Sequence, residues 1–127
     1  MDIGVPAEIK TAEKRIGLTP SAVSELTGLG HNVVIESGAG VGAGYEDNSY
    51  QEVGASIASS AAEVFDTSEM IVKVKEPQAS ERAMLKPHHT LFTYLHLAAD
   101  QPQTDELIKS GATCIAYETV TDDAGRL

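Results

Sequence analysis

The sequence has 127 residues, enough for one domain that buries about two thirds of the surface of its unfolded chain. An apolar share of 42% and a charged share of 22% exclude a disordered or fibrous chain. Nine Lys and Arg against nineteen Asp and Glu give a formal charge of -10, which argues against nucleic acid and anionic lipid as partners.

In chain order, "DIGV" reads as a short strand ended by Pro6, followed by the polar loop "AEIKTAEKRIGL". Thr19 and Pro20 form a helix start, and Val23, Leu26 and Leu29 recur at helical spacing until Gly28 and Gly30 stop the run. The pattern then alternates. "NVVIES", "EMIVKVK", "TLFTYLH" and "TCIAYE" are strands, with "SAAEVFD", "SERAMLK" and "TDELIKSG" as the helices between them. Such alternation predicts an α/β fold of Rossmann-like or flavodoxin-like kind: an open, mostly parallel sheet with helices on both faces. The chain closes on the polar turn "VTDDAGRL" where a further helix is expected, so it reads as part of a longer design.

Cys114 is the only cysteine, which excludes an intrachain disulfide and suits a reducing, cytoplasmic setting. No stretch approaches the roughly 20 apolar residues of a membrane span, and "MDIGVPAEIK" lacks the regions of a signal peptide.

The stretch "VIESGAGVGAGYED" contains Gly38, Gly40 and Ala43 at the G-x-G-x-x-G/A spacing of a dinucleotide-binding loop. It follows the second strand rather than the first, leads into the weak helix "YEDNSYQEVG", and the next strand expected ends in Lys75 rather than an acid. These glycines are therefore expected to shape a connection, with positive φ and close backbone approach, and no residue of this chain is assigned to cofactor binding.

Ligands of open parallel sheets bind beyond the carboxyl ends of the strands, so the polar residues just past each strand carry the search for chemistry. Lys10, Lys14 and Arg15 follow the first, Lys75 ends "IVKVKEP", His96 ends "LFTYLH", and Tyr117 and Glu118 close the last. Lys73 and Lys75 share a strand face with Ile71, and Lys73 is expected to reach solvent. His96 is either a packed histidine satisfied by backbone or an acid/base with an ordinary pKa of about 6.5. The adjacent His88 and His89 are expected to form a polar turn with side chains pointing apart, His31 is isolated, and no metal site is expected. Arg15 can grip a carboxylate through two parallel hydrogen bonds. Arg15, Lys75 and His96 together describe a pocket for a small anionic carbonyl or amino acid.

The segments "GVPAEIKTAEKRIGLTP", "ESGAGVGAGYED", "KVKEP", "FTYLHLAAD" and "IAYETV" resemble, in order, the N-terminal part of bacterial alanine dehydrogenase. The resemblance implies reversible, NAD-linked oxidative deamination of L-alanine to pyruvate and ammonia. It matches Arg15 and Lys75 to substrate-binding positions and His96 to the acid/base. A Schiff base on Lys75 is unnecessary, because ammonia supplies the imine nitrogen.

Members of that family are much longer and carry a separate Rossmann domain that grips NAD. Residues 1–127 are therefore expected to be an incomplete substrate domain, inactive alone, of a protein that assembles as a homo-hexamer. One alternative is the N-terminal domain of an NAD(P) transhydrogenase alpha subunit, against which Lys75 and His96 weigh. Another is a non-catalytic remnant.

Overall fold

The computed structural model describes residues 1–127. Strands β1 (Asp2–Val5), β2 (Asn32–Glu36), β3 (Ser56–Ala58), β4 (Met70–Val72), β5 (Thr90–Thr93) and β6 (Thr113–Ala116) form one sheet in the order β3-β2-β1-β4-β5-β6. Every neighbouring pair is parallel, so the sheet is wholly rather than mostly parallel. The strand order reverses between β1 and β4, the point at which such sheets leave a ligand crevice beyond their carboxyl ends.

Helices occupy the crossovers, and their starts follow local chemistry. The Thr19 hydroxyl accepts the Ala22 amide at the head of α1 (Pro20–Gly28), and Pro20 supplies a first-turn residue whose missing amide costs nothing there. The short α2 (Asp47–Gln51) follows the glycine loop. Ser60 caps α3 (Ala61–Thr67), the Glu81 carboxylate accepts the Gln78 amide in α4 (Ala79–Arg82), and Asp100 caps α5 (Gln101–Ser110). Gly111, with φ of 73°, ends α5 in the left-handed region.

Two apolar cores lie on opposite faces of the sheet. Alternate residues Ile3, Val5, Val33 and Ile35 pack with Val23 of α1 and Tyr50 of α2. Ile71 and Leu91 pack with Val64 and Phe65 of α3 and Leu107 of α5. Adjacent residues Ile71 and Val72 thus serve different cores, as the period-two strand geometry requires.

Three sequence expectations need correction. The edge strand β3 lies in "ASIAS", which no periodic pattern announces because it has three residues, two of them small. The strands expected from "EMIVKVK", "TLFTYLH" and "TCIAYE" stop at Val72, Thr93 and Ala116, and the residues past them are held by side chains. The helix expected in "SERAMLK" is the single turn of α4.

Candidate active site

Arg15 is placed by the loop between β1 and α1, which crosses the carboxyl end of β4. Gly17 makes that crossing possible: a Cβ there would stand 2.7 Å from the Val72 carbonyl oxygen. The glycine loop after β2 backs the same segment, since a Cβ at Gly42 would stand 2.9 Å from the Lys14 carbonyl oxygen. Gly38 and Gly44 take positive φ of 76° and 88°. The expectation that these glycines serve turns and close packing therefore holds. Arg15 is 65% exposed and meets the Glu13 carboxylate in a two-pronged pair, with Nε to Oε1 at 2.9 Å and Nη2 to Oε2 at 2.7 Å. Hydrogen bonds from the Arg15 side chain and amide hold the Glu13 carboxyl down at about 2, and the nearby charge of Lys75 adds to that.

Lys75 lies just past β4. Its Nζ stands 5.4 Å from the centre of the Tyr94 ring, within cation-π range. Lys73 departs from expectation, because it is 2% exposed rather than solvated. Its Nζ lies 2.9 Å from Glu8 Oε2 and 2.8 Å from Glu81 Oε2. Burial pushes the Glu81 carboxyl up, and Lys73 beside it offsets that only in part.

His96 follows β5 in the left-handed region, with φ of 49° and ψ of 46°, a conformation that needs support in a residue with a Cβ. Glu118, past β6, supplies it by accepting the amides of Leu95 at 3.0 Å and His96 at 2.8 Å. Burial pushes the Glu118 carboxyl up, but these amides outweigh it and hold the group below its ordinary value. The His96 ring is exposed, with Nδ1 2.6 Å from the Tyr94 hydroxyl. Tyr94 therefore touches both Lys75 and His96.

The three expected site residues thus share the carboxyl edge of the sheet without lining one closed cavity. Arg15 borders a recess of about 170 Å³ with Glu8, Glu13 and Gly42. His96 borders another, of about 270 Å³, with Ala116 and Glu118. The largest recess, about 430 Å³, lies between α4 and α5 and has none of the three in its lining. Its size is a poor guide beside the placement of Arg15, Lys75 and His96 along the sheet edge.

The glycine loop does not fit a pyrophosphate. The Asp47 carboxylate already fills the anion position there, accepting the Gly38 amide at 2.8 Å and the Ser37 hydroxyl at 2.7 Å. A negative group at the entrance to a five-residue helix would repel a dinucleotide.

His88 and His89 lie at the turn expected, but their rings do not point apart and one of them is buried. Their ring centres are 4.1 Å apart, and His89 is 1% exposed, accepting the Lys86 amide at Nδ1 and donating from Nε2 to the Phe65 carbonyl. Sequence reasoning gave no role to Glu8, Glu13, Tyr94 or Glu118. The available signal was Lys73 itself: a lysine between valines, on the strand face of Ile71, needs a buried carboxylate.

Residues 4–127 match the family model described as alanine dehydrogenase/PNT, N-terminal domain. The alanine dehydrogenase of Halomonas elongata is 52% identical over 127 residues, covering 100% of this chain and 34% of that protein. That of Bacillus subtilis is 48% identical over 122 residues, covering 96% and 32%. A solved L-alanine dehydrogenase superposes with a TM-score of 0.95 at 48% identity, over 98% of this chain and 34% of its own. A transhydrogenase from Sinorhizobium meliloti superposes with a TM-score of 0.89 at 26% identity, over 95% and 36%. The chain spans about a third of the length of the curated relatives it matches.

Proposed function

The chain belongs to the alanine dehydrogenase/PNT N-terminal domain family, and from that premise we propose that it forms the substrate-binding part of an NAD-dependent alanine dehydrogenase. The reaction converts L-alanine, NAD⁺ and water into pyruvate, ammonium, NADH and a proton, and runs in reverse as reductive amination. The observation that carries this reading is the placement of Arg15, Lys75 and His96 on one sheet edge, beyond the carboxyl ends of β1, β4 and β5, with Tyr94 between Lys75 and His96 and Glu13 near both Arg15 and Lys75.

Arg15 grips the substrate carboxylate with its planar fork, exchanging Glu13 for the ligand. Lys75 neutralises the carboxylate or polarises the oxygen beside it. His96 moves protons at Nε2 as the carbinolamine and imine form and break down, while Tyr94 holds Nδ1. NAD⁺ supplies the hydride acceptor when bound, and because the glycine loop does not suit it, its binding is assigned to residues of such a protein other than these.

The transhydrogenase reading stands second: it requires no amino-acid site, and the likeness there falls to 26% identity against 48% for the L-alanine dehydrogenase. The deciding assay is alanine-dependent reduction of NAD⁺ by the protein that carries these residues. Reduction that needs no alanine, with hydride passing between nucleotides, supports the second reading instead.

A further inference from the structure

Lys75 is fixed less by its own side chain than by what seizes the backbone around it. The Glu8 carboxylate, just past β1, accepts the amides of Val74 and Lys75, the latter at 3.4 Å. The Thr93 hydroxyl, on β5, donates to the Lys75 carbonyl at 2.8 Å. The Tyr117 hydroxyl, past β6, donates to the Val74 carbonyl at 2.8 Å. Side chains from three other parts of the sheet edge thus converge on two residues that have already left the β4 ladder.

Glu8 is the charged member of that set and the costliest to place. Its side chain is 2% exposed, and Lys73, at 1%, lies between it and the equally buried Glu81. One buried cation shared by two carboxyl groups is an expensive arrangement, since well-packed apolar side chains commonly stabilise a core as well or better. Burial alone gives no reason for it. Its outer end gives one, because the Glu8 Oε2 that meets Lys73 also receives the Lys75 amide, and Oε1 of the same carboxylate receives that of Val74.

We propose that Glu8 is a positioning residue for substrate binding: braced by the Lys73–Glu81 pair, it clamps the Val74–Lys75 backbone and so sets where the Lys75 ammonium meets the substrate. This inference rests on the reading of Lys75 as a substrate-binding residue.

The test is a double-mutant cycle on pyruvate kinetics in the protein that carries these residues, with Glu8→Gln, Lys75→Ala and the two combined. Glu8→Gln is expected to raise the pyruvate KM by about tenfold, with the loss in KM rather than kcat, and to add less than about twofold once Lys75 is alanine. Equal losses in both backgrounds, or a folded Glu8→Gln protein with unchanged KM, overturn the inference and leave the function standing. A Lys75→Ala protein with unchanged pyruvate KM overturns the substrate-binding reading of Lys75 and the inference with it. If Glu8→Gln does not fold, Glu8→Gln combined with Lys73→Met and Glu81→Gln removes the three charges of the buried cluster together and carries the same comparison.

Discussion

The Tyr94 hydroxyl lies 2.6 Å from His96 Nδ1, which leaves Nε2 as the ring nitrogen without a protein partner. Whichever of the two donates, the contact fixes the ring and directs Nε2 to a ligand. Removing the hydroxyl in Tyr94→Phe keeps the aromatic face under Lys75 and frees only the histidine. The expected result is a kcat lowered by roughly tenfold or more, with a pyruvate KM close to that of the parent, read from steady-state kinetics.

Arg15 rests on Glu13 when no ligand is bound, so the substrate carboxylate competes with an internal one. Glu13→Gln removes the competing charge and is expected to tighten pyruvate binding by a few-fold. Arg15→Lys keeps the charge but loses the fork, and is expected to weaken it. Titration calorimetry with pyruvate gives both signs, and the Glu13→Gln gain shrinks as salt rises because the Arg15 guanidinium is exposed.

Gly17 allows the Arg15 loop to cross the end of β4, where a methyl group would meet the Val72 carbonyl at 2.7 Å. Backbone on both sides leaves little to yield. Gly17→Ala is expected to cost about 1–3 kcal/mol of stability and to raise the pyruvate KM, because the displaced loop carries Arg15. Denaturant unfolding beside kinetics checks the two effects together.

His89 links stability to pH. Burial holds its pKa below the ordinary value, and neutral Nδ1 is needed to accept the Lys86 amide. The unfolded chain takes up a proton as pH falls past about 6.5, where the folded protein resists it. The contribution is therefore complete above that value and is lost as pH falls through the folded pKa. In His89→Gln the melting temperature starts lower but falls less between neutral and mildly acid pH, a difference that thermal scans resolve.

The carboxyl edge of the sheet was legible because one rule, that ligands bind beyond parallel strand ends, gathers Lys10, Lys14, Arg15, Lys75, His96, Tyr117 and Glu118 from the sequence, and side-chain chemistry narrows these to Arg15, Lys75 and His96 as candidates. What surrounds them was not. Glu8 and Lys73 are 65 positions apart and Leu95 and Glu118 are 23 apart, so no local pattern pairs them. The ends of β4, β5 and β6 were overrun for a related reason. Past Val72 the alternation of apolar and charged residues runs on through Lys73, Val74 and Lys75. After the Lys73 amide, which still bonds the Phe92 carbonyl, the backbone partners change from neighbouring strands to side chains, as with Glu8 here and Glu118 past Thr93. The left-handed backbone of His96 has no signature in "YLHLA", because the carboxylate that takes the Leu95 and His96 amides there, Glu118, comes from 22 residues further along the chain.

The central claim is that this sheet edge binds a small keto or amino acid through Arg15 and Lys75. Pyruvate titrated calorimetrically into the protein carrying these residues, and into its Lys75→Ala form, tests it most directly. Saturable binding to the parent that disappears in Lys75→Ala is the predicted result; equal binding to both, or none to a folded parent, would contradict it.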